Sequence, residues 1–130
     1  MAQEKVRIAI VGGGRTGTPM LEDFLKRAFI EVVGLADTDL ASRGAALARE
    51  NGIPVYKTAD ELAAKAADID VIVEVSGDPA VKPALKTAFV AQGNRTTVIV
   101  HDIVARIMLS MVENSDTLIE TYHPGDLGVG

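Results

Sequence analysis

The residues Gly12-Gly13-Gly14-Arg15-Thr16-Gly17 carry three glycines at the spacing G-x-G-x-x-G. Glycines so placed let a chain turn tightly, approach a phosphate closely and pack the next helix against its strand. The N–H groups at that helix start then stabilise negative charge. The plainer reading of the same stretch is a glycine-rich turn with no ligand. Context favours the first: the apolar run Val6-Arg7-Ile8-Ala9-Ile10-Val11 precedes the glycines, a helical pattern follows, and Asp37 ends the next strand 20 residues after Gly17. In that reading Gly12 makes the turn, Gly14 leaves room for a pyrophosphate and Gly17 admits close helix packing, with Gly13 and Thr16 completing the loop. Arg15 either lies along the pyrophosphate or points to water.

Asp37, with Thr38 beside it, is the candidate for the ribose end. Its carboxylate can accept both hydroxyls of an adenosine ribose, or it can serve as an ordinary strand-end aspartate that starts a turn or helps Asp39 cap the next helix. A phosphate on that ribose would face the carboxylate charge, so NAD(H) is expected over NADP(H). Arg43, a few residues on, could offset part of the repulsion, which keeps NADP(H) as the lesser expectation. Pro19 complicates the helix start, because its missing N–H falls where a bond back to Arg15 belongs. Either the first turn is distorted or the helix begins late, with Thr18 as cap and Pro19 as first residue.

Open α/β sheets collect ligands at the carboxyl ends of their strands. That places Ser76, Gly77, Asp78, His101 and Asp102 near the nicotinamide half of a dinucleotide, with Ser76, Gly77 and His101 as contact candidates. Asp78 and Asp102 also suit helix capping. Glu74 interrupts an apolar strand and either reaches the crevice edge or bonds to a neighbouring main-chain N–H. His101 can donate a hydrogen bond or relay a proton, or be an ordinary strand-end histidine; His123 joins it only if the tail folds back. Neither the histidines nor the carboxylates have metal-motif spacing, and no P-loop and no Ser-His-Asp or Cys-His arrangement is recognisable.

These residues must be held by a chain of 130 residues, room for one domain, expected to span residues 1–130 with 123–130 as an irregular tail. Its 13 Lys plus Arg against 18 Asp plus Glu give a formal charge of -5, a poor match to nucleic acid. Apolar residues make up 48% and aromatics 4%, so the core must be aliphatic. Without cysteine there is no disulfide, thiolate catalysis or Cys-based zinc site. The amino terminus lacks a long apolar signal run and no window suits a membrane span, so a soluble, cytoplasmic chain without membrane contact is expected.

Short apolar runs alternate with amphipathic stretches along the chain. Strands are expected at 6–11, 32–37, around 54–56, at 70–75 and at 96–100, with 117–122 as a possible sixth. The intervening helices start with Met20, Leu21, Phe24, Leu25 and Ala28 at helical spacing. They continue over about 40–50 capped by Asp39, 59–66 behind the capping box Thr58-Ala59-Asp60-Glu61, 79–91 with Pro83 bending it, and 103–113 capped by Asp102. Such alternation specifies an α/β fold: one Rossmann-type domain, an open parallel sheet of strand order 3-2-1-4-5 with helices on both faces.

Residues 5 to about 100 resemble the nucleotide-binding domain of Gfo/Idh/MocA-type oxidoreductases and its homoserine- and aspartate-dehydrogenase relatives. The likeness rests on residues 6–17, Val33-Gly34-Leu35-Ala36-Asp37-Thr38-Asp39, Tyr56 with Thr58-Ala59-Asp60-Glu61-Leu62, and Ile69-Asp70-Val71-Ile72-Val73-Glu74. It implies a Rossmann fold, pyrophosphate on residues 12–17 and adenosine ribose on Asp37. Two departures bear on activity. Sugar-oxidising members follow the fifth strand with a Glu-Lys-Pro segment whose lysine is catalytic, whereas this chain has Val100-His101-Asp102, and the large substrate domain of full-length relatives is expected to be absent from this chain. The expectation is an NAD(H)-binding domain of oxidoreductase type, with a non-enzymatic dinucleotide-sensing or regulatory module as the alternative.

The stretch 103–113 is apolar around most of its circumference, with Arg106, Ser110 and Glu113 as a narrow polar stripe. One face can cover the sheet, which leaves Ala105, Leu109 and Val112 for another partner: the tail, a second copy in a homodimer, or the substrate domain.

Overall fold

The computed structural model describes residues 4–100 and 102–120. His101, the side chain of Asp102 with its expected capping role, His123 and the tail lie outside the described residues.

Strand β1 (Val6–Val11) occupies the middle of a five-stranded parallel sheet because both of its faces are apolar. Ile8 and Ile10 pack into one cluster with Met20, Leu21 and Phe24, while Ala9 and Val11 pack into a second with Leu62, Leu85 and Phe89. That two-sided burial is why the run is continuous rather than alternating. On one side β1 pairs with β2 (Ile30–Ala36), which pairs with β3 (Val55–Tyr56). On the other it pairs with β4 (Val71–Glu74), followed by β5 (Val98–Val100). The order is β3-β2-β1-β4-β5, as the alternation requires.

Helices α1 (Gly17–Phe24), α2 (Arg43–Glu50) and α5 (Asp102–Val112) contribute to the first cluster, and α3 (Ala59–Ala63) and α4 (Val81–Gln92) to the second. Wholly buried side chains such as Ile10, Leu21, Leu35 and Leu62 anchor the layers, each stabilising the fold by roughly 1.5–3 kcal/mol. Thr58 caps α3 by accepting the Glu61 N–H at 3.2 Å, and Gly93, at φ 68°, ends α4 in the left-handed conformation.

Several local expectations are corrected. Helix α1 starts at Gly17, so Thr18 lies inside it; Pro19 falls in the first turn, where its missing N–H does little harm. Leu25 and Ala28 lie beyond the helix and are exposed. Asp39 does not cap α2: its Oδ1 accepts the Ala41 N–H at 2.9 Å in a preceding turn, and Ser42 is the cap, accepting from Ala45. Asp78 likewise makes a turn, accepting from Ala80, before α4 begins at Val81. The late start puts Pro83 in the first turn, where it removes no helical bond. Helix α3 stops at Ala63, and a 3-10 turn at Ala66–Asp68 completes the expected stretch.

No strand forms over 117–120, although Ile119 packs on the first cluster. Its N–H donates to Ser110 Oγ at 2.8 Å and its carbonyl accepts from Arg106 Nε at 3.0 Å. This segment therefore bonds Arg106 and Ser110 of the narrow polar stripe on α5. The outward face of α5 is also different from expectation. Ala105 and Leu109 are buried, whereas Ile103, Val104, Ile107 and Met111 are exposed, Met111 by 75%.

Candidate functional site

The connections from β1 and β4 run to opposite faces of the sheet, which opens a crevice at the carboxyl ends of these neighbouring strands. It has a volume of about 930 Å³ and is bordered by residues 12–16, Asp37, Thr38, Lys57 and Ser76.

Each glycine of the loop has a distinct reason. Gly12 adopts φ 106°, and a Cβ there would lie 2.8 Å from Cα and N of Ser76, so the β1 turn and the β4 loop touch only because Gly12 has no side chain. A Cβ on Gly17 would fall 1.7 Å from the Gly12 carbonyl oxygen. Gly17 therefore closes the loop from beneath and does not border the crevice. Gly14 is the opposite case: a Cβ on it meets nothing within 4 Å, at a residue that borders the crevice. Among the described residues, the main-chain N–H groups of Gly14, Arg15 and Thr16 have no protein acceptor. Thr18 holds the loop from the helix side, donating its hydroxyl to the Gly13 carbonyl at 2.9 Å.

Gly13 faces α2. Its carbonyl accepts the Gly44 N–H at 2.8 Å, and a Cβ on Gly44 would lie 2.5 Å from Gly13 Cα. The signal for this contact was present in the sequence: a glycine inside an alanine-rich helix costs about 1 kcal/mol relative to alanine and calls for a packing reason.

The Asp37 carboxylate accepts the Gly13 N–H through Oδ2 at 2.8 Å and the Asp39 N–H through Oδ1 at 2.9 Å. An ionised carboxylate has about four acceptor positions, so two main-chain bonds leave capacity for ribose hydroxyls. The cation bordering the crevice at this end is Lys57, directly after β3, and Arg43 does not border it. The topology identifies Lys57, since β3 ends beside β2 and the Tyr56 carbonyl accepts the Asp37 N–H at 2.9 Å. Arg15 borders the crevice.

At the β4 end, Ser76 borders the crevice, whereas Gly77 does not and instead takes φ 75° in the turn. Glu74 does not reach the crevice edge: it is fully buried, and its Oε1 accepts the Ser76 N–H at 2.9 Å. Among the described residues, no cluster of His, Cys, Asp or Glu could hold a metal ion, and no helix is long and apolar enough to cross a membrane.

Residues 6–100 match the family model described as "Oxidoreductase family, NAD-binding Rossmann fold". The chain belongs to this Gfo/Idh/MocA family. No match was found among curated proteins. Among solved structures, the chain is similar to GenD2 from gentamicin A biosynthesis, solved in complex with NAD, at 22% identity and TM-score 0.60 over 85% of this chain and 32% of that one. A myo-inositol dehydrogenase from Corynebacterium glutamicum is 27% identical with TM-score 0.57, covering 85% of this chain and 33% of the other. A homoserine dehydrogenase from S. aureus shares the fold at 17% identity and TM-score 0.59, over 87% and 30% of the two chains. The chain thus spans about a third of the length of these structures.

Proposed function

We propose that this NAD-binding oxidoreductase-type domain holds NAD(H) in preference to NADP(H), with pyrophosphate on residues 12–17 and adenosine ribose on Asp37 and Thr38. The observation supporting this reading is the convergence, in one crevice, of three main-chain N–H groups without protein acceptors and a carboxylate with remaining acceptor capacity. The N–H groups of Gly14, Arg15 and Thr16 would meet the pyrophosphate charge, and the side-chain-free face of Gly14 would let it approach. Lys57 partly offsets the negative charge of Asp37 and Asp39, so the preference for NAD(H) is a matter of degree. When bound, the nicotinamide ring supplies a hydride acceptor or donor. Ser76, beside Gly12 at the β4 border of the crevice, would contact the nicotinamide half, with Gly77 shaping its turn.

Substrate and reaction would come from another domain or subunit. A second reading, a dinucleotide-sensing module, is favoured by Val100-His101-Asp102, which stands where sugar-oxidising relatives carry a catalytic lysine. Calorimetric titration with NAD+, NADH and NADP+ tests cofactor binding, and absence of binding by all three would reject both readings. Hydride transfer followed by nicotinamide absorbance, with candidate polyols and amino acids and in the presence of the domain or subunit that co-purifies with the chain, separates the two.

We further propose that the exposed face of α5, formed by Ile103, Val104, Ile107 and Met111, pairs with the same face of a second copy. An exposed apolar face on one helix is self-complementary under closed two-fold symmetry.

A further inference from the structure

Glu74 is the fully buried carboxyl of the sheet, on a strand whose neighbours Ile72, Val73 and Val75 are all buried apolar residues. Burying a carboxyl is costly unless hydrogen bonds compensate, and an apolar residue would extend the β4 run without that cost. Two of its bonds run to one residue. The Ser76 N–H donates to Glu74 Oε1 at 2.9 Å, and the Ser76 hydroxyl donates to the same oxygen. Because Oε1 already accepts a main-chain N–H, it meets the serine hydroxyl as an acceptor. The Ser76 hydroxyl in turn accepts the Asp78 N–H at 3.1 Å.

A serine hydroxyl has one proton and two acceptor positions. With the proton directed to Glu74 and one acceptor position taken by Asp78, one lone pair remains on an exposed residue bordering the crevice, packed beside Gly12. We infer that Glu74 is a positioning residue that fixes Ser76 as an acceptor toward the nicotinamide-riboside half of the dinucleotide. The hydroxyl so oriented selects a donor, such as a ribose hydroxyl or carboxamide N–H, and disfavours an anionic group. This inference rests on the dinucleotide reading of the crevice and adds a polarity rule to its second half.

The test compares NAD+ with ADP, which lacks the whole nicotinamide-riboside half, by calorimetry on the full chain, with circular dichroism to monitor the fold. Ser76→Ala and Glu74→Leu should each weaken NAD+ by about tenfold, the effect of losing one hydrogen bond, and the double variant should add little. ADP should bind all three within about twofold of the starting protein, a selectivity that a purely structural role would not produce. Glu74→Gln keeps a carbonyl acceptor and should restore NAD+ affinity; if Glu74→Leu fails to fold, this variant carries the test. Equal loss of NAD+ and ADP in Glu74→Leu, unchanged NAD+ binding in that variant, or a Glu74→Gln loss as large as that of Ser76→Ala would overturn the inference while leaving the dinucleotide reading intact. A starting protein that binds neither ligand would overturn both.

Discussion

Asp37 accepts the main-chain N–H of Gly13 at 2.8 Å, so the residue proposed for the ribose end of the crevice also holds the glycine loop in place. Gly13 is fixed on its other side by Gly44 of α2, and the loop, β2 and α2 therefore form one unit around this carboxylate.

That double duty changes what a substitution at Asp37 does. The starting protein should bind NAD(H) more tightly than NADP(H), and Asp37→Ala should reduce the preference mainly by weakening NAD(H). Loss of a hydrogen bond to a charged group is worth about 1.5–3 kcal/mol, or roughly ten- to hundredfold in affinity. NADP(H) should not gain in proportion, because the Gly13 N–H loses its acceptor and the loop loosens for both cofactors. Equal calorimetric affinities in the starting protein would reject the ribose assignment.

Gly14 and Gly17 should respond in opposite ways. Gly14→Val projects a side chain into open crevice space and should leave the melting temperature nearly unchanged while abolishing pyrophosphate binding. Gly17→Ala drives a methyl to within 1.7 Å of the Gly12 carbonyl oxygen and should cost about 3 kcal/mol or more in stability. Thermal melts paired with NAD+ titration check both, and a Gly14→Val protein that binds normally would move the pyrophosphate elsewhere.

The strand order was legible because β1 is apolar on both faces and is followed by glycines, helix and aspartate in the required sequence. The helix starts were not, because short polar residues compete at close range. Asp39 and Ser42 both suit a cap, and the backbone of the intervening turn, with the Ser42 N–H bonded to the Asp39 carbonyl at 3.1 Å, decides for Ser42. Pro19 and Pro83 looked disruptive only while the helices were assumed to begin earlier than Gly17 and Val81. The faces of α5 were ambiguous since apolar residues surround it. Only its packing on α1 and the bonds of Ser110 and Arg106 to Ile119 decide that Leu109 points inward. Gly44 inside an alanine-rich helix signals a close contact without naming Gly13, which is far away in sequence, whereas the bond of Glu74 to the nearby Ser76 N–H is one of the two readings its position left open.

Self-association through α5 therefore has a different test residue from the one periodicity suggests. Ile107→Asp and Met111→Asp place charge on exposed positions and should yield a folded monomer where the starting protein is a dimer by light scattering. Leu109→Asp should unfold the chain instead, since Leu109 is 5% exposed and a buried charge costs several kcal/mol. A starting protein that remains monomeric across micromolar concentrations rejects the dimer and leaves the face to a substrate domain.

The last prediction concerns the opposite end of the sheet, where Arg7 on β1 and Asp70 before β4 join the two central strands. The Arg7 guanidinium bonds both oxygens of Asp70, at 3.0 and 3.3 Å, and the Arg7 main-chain N–H adds a third bond at 2.8 Å. The guanidinium bonds first, and the main-chain bond second, hold the Asp70 carboxyl below the usual carboxylate range. A lowered native value means that the folded state binds the proton less readily than the unfolded chain. The pair's contribution is accordingly complete above the ordinary carboxylate value, near about 4, and disappears as pH falls through the lowered native value. Asp70→Asn should therefore melt below the starting protein by a constant margin from neutral pH down to about pH 5, with the two curves converging below about pH 4. Both side chains are partly solvent-exposed, so the margin should be modest and should shrink with added salt. A margin that persists unchanged into strong acid would show that the asparagine perturbs the β1–β4 junction by shape and that the ion pair contributes nothing.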